Sequence, residues 1–273
     1  MEVLMQWLPM LAILVGSGIV AGVMAGLLGV GGGIVIVPVL ESALAMMGVD
    51  PAVRMHIAVA TSLAIIVPTS LSSARAHHAR GSIDITIVRA WGLFILVGSV
   101  MGTWLASRMD SGVLTLMFGC VAILVAVKLA LPMDGYHVQG ISWHSGPLRI
   151  VPLLIGGLSS MIGIGGGSFS VPSLTLLGVD MRRAVGTSAL FGLLISLPGA
   201  LAYVVSGWQD PRMPDGNIGY VSLVGLVCIA PTTVLAAPLG VKLAHRLSQR
   251  TLSVVFAVFL LSVGGRMLLR GLS

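Results

Sequence analysis

Two glycine-rich stretches decide the fold of this chain: Gly29-Val-Gly-Gly-Gly-Ile-Val-Ile-Val-Pro38 and Gly163-Ile-Gly-Gly-Gly-Ser-Phe-Ser-Val-Pro172. They lie 134 residues apart, and in each a triple glycine is followed at the same distance by a proline. Two further blocks recur in the same order, Ala58–Ser62 with Ala184–Ser188 and Gly102–Arg108 with Gly240–Arg246. Three matching blocks in one order indicate an internal repeat.

The composition places this repeat in a membrane. Of the 273 residues, 56% are apolar and 9% are charged, and the mean hydropathy is +1.06. A soluble protein carries roughly a quarter charged residues, so these figures exclude soluble enzymes and nucleic-acid-binding domains. The net charge of +6, from 15 basic and 9 acidic side chains, is what basic cytoplasmic loops contribute to a membrane protein.

Apolar runs that can enter a bilayer predict five helical segments in each copy of the repeat. In the first copy they span residues 7–29, 33–47, 53–73, 84–107 and 112–131. In the second copy they span residues 147–164, 168–178, 184–206, 218–244 and 249–269. We therefore expect an all-α polytopic membrane protein, with a first transmembrane repeat in residues 1–131, a linker loop in 132–146 and a second repeat in 147–273.

The distribution of basic residues predicts how the two repeats are oriented. If the first two segments of each repeat both cross or form a re-entrant pair, each repeat makes an odd number of crossings. With the loop around Arg75 and Arg80 inside, the Lys and Arg residues then divide ten inside to five outside, as the positive-inside rule requires. Parallel repeats would divide them eight to seven. We therefore expect inverted-topology repeats, each a glycine-broken or re-entrant helix pair followed by three transmembrane helices, with both termini outside.

The triple glycines are candidate anion-binding turns. The second segment of each repeat is too short to cross a hydrocarbon core of about 30 Å, so each triple glycine should lie inside the membrane. A helix that begins there presents unpaired N–H groups and the positive end of its dipole, and two such helix starts can converge on one anion. The candidate residues are Gly31, Gly32, Gly33, Gly165, Gly166, Gly167 and the adjacent Ser168. The alternative is that these glycines only allow helices to pack closely.

Polar side chains inside predicted spans extend the candidate site. The pairs Thr61-Ser62 and Thr187-Ser188 recur early in the third segment of each repeat. Their hydroxyls can donate to substrate oxygens, or they can bond to their own or neighbouring helices. Glu41 is the one acid well inside a predicted span, which makes it a candidate for proton coupling. Its place eight residues beyond Gly33 favours instead a position near the membrane interface.

Neither catalysis nor a cofactor is expected. The sequence contains no His-Glu-x-x-His zinc motif, P-loop or Gly-x-Ser-x-Gly nucleophile elbow. The pair His77-His78 lies in a basic loop without Cys, Asp or Glu ligands at zinc-like spacing. We therefore predict that the protein is not an enzyme and binds no metal.

Taken together, these residues resemble the TauE/SafE family of sulfite exporters. The resemblance rests on Gly29–Pro38, the Ala-Val-Ala-Thr-Ser run ending at Ser62, the loop Ala76–Asp84 and Gly163–Gly167. It covers almost the whole chain and implies a bacterial inner-membrane permease for sulfite, sulfoacetate or related organosulfonates, usually moved outward. The family's glycine turns and Thr-Ser pairs map onto the candidate residues named above. The second half departs from the pattern, because Asp215-Gly-Asn-Ile218 replaces the Arg-Gly-Ser-Ile-Asp loop.

The resemblance and the membrane potential favour export by alternating access around the two glycine turns. An anion that leaves a cell with a negative interior moves downhill by about 2.3 kcal/mol per charge per 100 mV, so no pump is needed. The expected partners are a small sulfur oxyanion and the lipid bilayer, with no nucleic acid, and a homodimer remains open. The alternatives are an anion or small-solute channel and a membrane interaction subunit that transports nothing.

Overall fold

The computed structural model describes residues 2–28, 32–130, 149–244 and 249–272, which form ten α-helices and one short β-hairpin. The first half contains α1 (Glu2–Leu28), α2 (Gly33–Met46), α3 (Pro51–His78), α4 (Ile85–Ala106) and α5 (Ser111–Ala130). The second half contains α6 (Ile150–Ile162), α7 (Gly167–Leu176), α8 (Met181–Gly207), α9 (Leu223–Ala244) and α10 (Gln249–Leu272). The mostly helical fold is thus confirmed. The predicted linker, residues 132–146, and the predicted site residue Gly31 lie outside the described residues.

Five of the described helices are long and apolar enough to cross a bilayer, namely α3, α4, α5, α8 and α9. The most apolar part of α3 is 67% buried and that of α8 is 50% buried, against 33–39% for the other three. Helices α3 and α8 therefore form the centre of the bundle. The outer helices expose large apolar side chains, such as Leu93, Leu124 and Val227, as expected of a surface that faces lipid.

Aspartate caps begin three of these helices. The Asp50 carboxylate accepts a hydrogen bond of 2.9 Å from the Ala52 N–H at the start of α3. The Asp180 carboxylate accepts one of 3.0 Å from the Arg182 N–H at the start of α8, and Asp84 caps α4 in the same way. Such caps satisfy N–H groups that have no acceptor within the helix. The two central helices, α3 and α8, therefore both begin at an aspartate.

Two details of the predicted boundaries are wrong. The segment 218–244 was expected to be helical from its start, but β1 (Asn217–Ile218) and β2 (Val221–Ser222) pair as an antiparallel hairpin before α9. The hairpin turns at Gly219, whose φ is +55° and whose missing side chain lets it pack against the Val204 backbone. Helix α3 also continues past residue 73, so His77 and His78 lie in its last turn instead of a loop.

The two halves are interleaved in the bundle. Helix α1 of the first half packs on α9 of the second, and α6 of the second half packs on α4 of the first. Glycines make both contacts close: Gly240 lies on the Val23 backbone, and Gly98 lies on the Leu153 backbone. Small residues permit this approach between membrane helices. The first helix of each half therefore packs against the fourth helix of the other half.

Candidate functional site

The two glycine turns lie against each other at the centre of the bundle. Gly33 is the first residue of α2, and a Cβ atom there would overlap the Gly163 carbonyl oxygen. The same carbonyl accepts a hydrogen bond of 2.8 Å from the Ser62 hydroxyl of α3. The Cβ position of Gly163 lies 3.0 Å from the Val59 Cα atom. The structure thus brings Gly33 and Ser62 of the first repeat onto the second glycine turn.

The second glycine turn forms the start of α7. Gly166 is the N-cap and receives no capping side chain. The Ser170 N–H donates a hydrogen bond of 2.9 Å to the Gly166 carbonyl, so the N–H groups of Gly167, Ser168 and Phe169 precede the helix's own hydrogen bonds. All four predicted residues of this turn are buried, namely Gly165, Gly166, Gly167 and Ser168.

A small cavity lies at this helix start. Four of its lining residues carry hydroxyl groups, and we call this space the hydroxyl cavity: Thr69, Ser70 and Ser73 of α3 and Ser188 of α8. The other lining residues are glycine or alanine: Ala25, Gly166, Gly167, Ala189, Gly192 and Ala237. No charged side chain lines it within the described part of the chain.

Ser188 provides a free hydrogen-bonding group in this cavity. Its side chain is 0% exposed, and its hydroxyl has no hydrogen-bond partner among the described residues. The buried hydroxyl of Ser168, at the helix start, lacks a partner in the same sense. Thr69 differs, because its hydroxyl donates to the Ile65 carbonyl at 2.9 Å. Buried polar groups are nearly always paired in folded proteins, so the Ser188 hydroxyl, which also lines the cavity, is available to a ligand or water.

The two predicted threonines occupy equivalent positions between helices. The Thr61 hydroxyl oxygen accepts a hydrogen bond of 2.9 Å from the Ser222 N–H, just before α9. The Thr187 hydroxyl oxygen accepts one of 3.0 Å from the Asp84 N–H, just before α4. In each case, the threonine of one half holds the start of the fourth helix of the other half. In this conformation both hydroxyl oxygens therefore contact backbone.

The first glycine turn is tightly packed. Gly32 has a φ of +73°, and its Cβ position lies 2.8 Å from the Ala21 carbonyl oxygen of α1. The Cβ position of Gly33 lies 2.9 Å from Ile66 Cδ1 and 3.0 Å from Ser62 Oγ. Side chains of α3 therefore fill the space beside Gly33, whereas Gly166 and Gly167 of the second turn line the hydroxyl cavity.

With this geometry in place, comparison with known proteins assigns the family. The sequence profile of the sulfite exporter TauE/SafE family matches residues 14–267 of the chain. The chain belongs to this family. The family and its curated relatives are membrane transporters and not enzymes, as predicted.

Curated relatives support the assignment. A probable membrane transporter protein of Haemophilus influenzae is 36% identical over 96% of this chain and 98% of its own length. A probable membrane transporter protein of Methanocaldococcus jannaschii is 28% identical over 97% of both chains. A third, from Bacillus subtilis, is 26% identical over 95% of this chain and 98% of its own length. No solved structure matches the chain significantly.

Glu41 of this TauE/SafE protein is buried and paired with two arginines. One carboxylate oxygen accepts a hydrogen bond of 2.8 Å from Arg270 Nη1 of α10, and the other lies 3.7 Å from Arg54 Nη1 of α3. The Arg54 guanidinium also donates to the Val49 carbonyl at 2.7 Å. Glu41 therefore links α2, α3 and α10 at one end of the bundle, which we call the Glu41 end.

Polar and aromatic side chains also cross-link the α8–α9 loop at the Glu41 end. The Tyr220 hydroxyl donates to Asp210 at 3.0 Å, and the ring stacks on His56 of α3 with centroids 5.2 Å apart. The hydrogen bond from Arg212 holds the pKa of Asp210 well below its usual range. Burial and the Asp210 hydrogen bond raise the pKa of Tyr220 to about 12. The carboxylate and the protonated phenol therefore stay paired at neutral pH.

The opposite end of the bundle, which we call the Asp84 end, is held more loosely. Arg183 of α8 lies 3.8 Å from the Asp84 carboxylate, and the arginine side chain is 65% exposed. Gly186 packs on the Ser82 backbone beside this pair. The hydroxyl cavity extends toward the same end, because Ser73 lies near the end of α3. Among the described residues, no group of three or more His, Cys, Asp or Glu side chains could hold a metal ion.

Seven of the ten residues that line the hydroxyl cavity were absent from the sequence prediction, and three of them shape the cavity. These are Ser70 and Ser73 on α3 and Gly192 on α8. One signal was present: Thr69-Ser-Leu-Ser-Ser73 places four hydroxyls in five residues, which is unusual for the end of an apolar span. Gly192 gave no such signal, because it is one of 36 glycines. Its importance comes from the side chain of α3 that it contacts, which the sequence does not specify.

Proposed function

We propose that this protein is a carrier that exports small sulfur oxyanions, such as sulfite, sulfoacetate or a related organosulfonate, across the bacterial inner membrane. Family membership and relatives named as probable membrane transporters support transport. The observation that supports an anionic substrate is the hydroxyl cavity, where the free Ser188 hydroxyl lies near the first N–H groups of α7. Helix N-termini and hydroxyls bind oxyanions without a fixed positive charge.

The neutral lining suits a transporter better than a storage site. No Lys or Arg lines the cavity within the described residues, so hydrogen bonds and helix dipoles provide the attraction. These contacts are weaker than a buried pair with arginine. An anion that binds moderately can also leave, which transport requires. The membrane potential then drives a negative charge outward without a pump.

An inverted arrangement of the two repeats is supported by the course of α3 and α8. Near the start of α3, His56 stacks on Tyr220, which lies edge-on to Tyr203 near the end of α8. Beyond the end of α3, the Asp84 N–H bonds to Thr187 near the start of α8. These equivalent helices therefore run antiparallel, which inverted repeats require.

The bundle's charges support an orientation with the Asp84 end in the cytoplasm. The basic residues Arg75 and Arg183 lie at that end, as the positive-inside rule favours. Arg270, close to the C-terminus, pairs with Glu41 at the opposite end. Helix α1 runs alongside α9 in the same direction, because Gly18 meets Ile229 and Gly240 meets Val23. Both termini would then lie at the outer surface.

Alternating access would exchange the roles of the two glycine turns. In the present conformation, the Ser62 hydroxyl is bonded to Gly163, whereas its equivalent Ser188 is free. In the opposite conformation Ser62 would be released and Ser188 would close on the first turn. The proposed path comprises the residues predicted from sequence, namely Gly31, Gly32, Gly33, Thr61, Ser62, Gly165, Gly166, Gly167, Ser168, Thr187 and Ser188.

Proton coupling through Glu41 is a separate part of the proposal. Its two arginine partners give this carboxylate a role in holding the Glu41 end together. If Glu41 also carries a proton during transport, replacement by glutamine removes the pH dependence of efflux. If its role is structural, the pH dependence is unchanged.

The proposed function is tested by efflux from liposomes. Purified protein is reconstituted with sulfite or sulfoacetate inside, and efflux is followed with and without an imposed potential. We expect saturable, potential-driven efflux of at least one anion. Counter-transport of labelled substrate distinguishes a carrier from a channel, since a channel does not exchange one anion for another. The absence of flux for both anions would contradict the proposed substrate class.

A matched pair of glycine variants links this efflux to the second turn. In Gly166→Ala, the added Cβ lies 2.9 Å from Ile195 Cδ1 and 3.2 Å from the Gly192 nitrogen, so either the Ile195 side chain or the start of α7 must move. In Gly265→Ala on α10, the added Cβ meets no atom within 4 Å. We expect Gly166→Ala to lose most of the efflux and Gly265→Ala to retain it.

A further inference from the structure

The two walls of the hydroxyl cavity define a binding site that includes residues of α3. Ser188 of α8 is buried without a partner among the described residues and faces this space. On the opposite wall, Ser70 is buried and Ser73 is half-buried. The α7 N-terminus closes the third side through Gly166 and Gly167. Hydroxyl donors and helix-start N–H groups therefore surround one small space.

We infer that the transported oxyanion binds in the hydroxyl cavity, where Ser70, Ser73 and Ser188 donate to its oxygens and Gly192 limits its size. The inference rests on the proposed function and adds α3 residues that the glycine turns and Thr-Ser pairs do not include. A pyramidal or tetrahedral oxyanion fits this donor set, because several acceptor oxygens point away from one centre. The neutral lining disfavours a cation, which would need carboxylates or carbonyl oxygens in its place.

Gly192 sets the width of the cavity. A Cβ atom at this position would lie 2.5 Å from Ser70 Oγ and 3.5 Å from Ser70 Cβ. The Ser70 hydroxyl therefore fits against α8 only because residue 192 has no side chain. An alanine there pushes the Ser70 hydroxyl aside and narrows the site. A substrate that carries an extra carbon group, such as sulfoacetate, should lose more than sulfite.

The position of the cavity also fixes the side from which the anion enters in this conformation. Ser73 of α3 and Ala237 of α9 line the part nearest the Asp84 end. Toward the Glu41 end, Gly33 and Ser62 contact the Gly163 carbonyl and block the path. The anion therefore reaches Ser188 from the Asp84 end, which is the cytoplasmic end in the proposed orientation.

Thiol protection tests the site independently of transport. A Ser73→Cys variant is made with both native cysteines, Cys120 and Cys228, replaced by alanine. A membrane-impermeant thiol reagent is applied to inside-out vesicles with and without sulfoacetate, which is chosen because sulfite itself consumes thiol reagents. We expect labelling from the cytoplasmic face that sulfoacetate slows several-fold. Met47→Cys, at the exposed loop of the Glu41 end, should be labelled from the outer face and unprotected.

Alanine variants test the hydroxyls in the efflux assay. Ser188→Ala and Ser70→Ala should each reduce sulfoacetate efflux at subsaturating concentration by about tenfold, the effect of losing one hydrogen bond to a charged group. The control is Ser196→Ala on the same helix, because Ser196 is also buried without a partner in the described chain but does not line the cavity. It should transport at the wild-type rate.

The size limit is read as a ratio of two substrates. Gly192→Ala should lower sulfoacetate efflux more than sulfite efflux, whereas a general folding defect lowers both equally. Variants at Ser70 and Ser188 that transport like the wild type, together with an unprotected Ser73→Cys, would overturn the site. Protection of Ser73→Cys by sulfoacetate without any wild-type efflux would instead reject the proposed function and retain the site.

Discussion

The two glycine turns have nearly the same sequence but different surroundings. At the first turn, Ile66 and Ser62 pack against Gly33. At the second, the residue equivalent to Ile66 in the matched Ala-Val-x-Thr-Ser blocks is Gly192, and a cavity lies beside it. One pair of residues, isoleucine and glycine, therefore accounts for a filled turn in one half and an open turn in the other. A repeated motif predicts a common backbone, whereas the facing side chains decide where a ligand fits.

The largest effect should come from making the second turn resemble the first. Gly192→Ile places the side chain of Ile66 at the equivalent position, where it fills the hydroxyl cavity and displaces Ser70. We expect sulfoacetate and sulfite efflux from liposomes to fall to the background rate, while the protein still elutes as a single species in detergent. Gly265→Ile, at an open position of α10, is the control. Wild-type efflux by Gly192→Ile would show that the cavity is not the path.

The reverse change should affect stability more than transport. Ile66 is fully buried, and Ile66→Ala leaves a void beside Gly33 that costs about 2–5 kcal/mol of unfolding free energy in a well-packed core. Denaturant titration in detergent measures this loss. Ile19→Ala on α1 is the matched control, because Ile19 is 47% exposed and such a change stays within about 0.5 kcal/mol. Equal effects of the two variants would mean that the first turn is not tightly packed.

Much of this contrast lay beyond what the sequence could predict. The helical segments were predictable because apolar runs of bilayer length are bounded by Gly, Asp and Pro. The contact between Gly33 and Gly163 was foreseeable in outline, since two helix starts inside a membrane need shared polar surroundings. The cavity could not be foreseen, because the contact between Ser70 and Gly192 depends on how α3 is rotated about its axis against α8.

Long-range partners were equally hidden from the sequence. Glu41 and Arg270 are separated by 229 residues, and nothing in either segment specifies the pair. The hairpin at 217–222 was missed for a related reason, because Val221 and Ser222 continue an apolar run while the turn depends on Gly219 packing against α8. Local patterns give elements, whereas contacts between halves require the three-dimensional fold.

A smaller effect on the free energy of unfolding is expected from a substitution at the Glu41 end. Glu41→Gln keeps the shape of the side chain but leaves Arg54 and Arg270 facing a neutral amide. Removing one partner of a fully buried pair costs about 3–5 kcal/mol, and the partial exposure of Arg270, at 40%, brings the expected loss below that range. Denaturant titration measures it. An unchanged free energy of unfolding would show that the ion pairs of Glu41 do not stabilise the Glu41 end.

The smallest effect on the free energy of unfolding is expected from a substitution at the Asp84 end. Arg183→Gln removes an ion pair of 3.8 Å with an exposed arginine, and such pairs contribute about 0–1 kcal/mol. The same titration should therefore give a smaller loss than Glu41→Gln. A larger loss for Arg183→Gln would reverse the proposed difference between a firmly closed end and a loosely held one.

The equivalent serines Ser62 and Ser188 give the most direct test of the account. Binding of sulfoacetate to purified protein is measured for the wild type, Ser62→Ala and Ser188→Ala. We predict an affinity about tenfold weaker for Ser188→Ala and nearly unchanged for Ser62→Ala, because only Ser188 has a free hydroxyl in the cavity. Equal losses for both variants, or a loss confined to Ser62→Ala, would contradict this prediction.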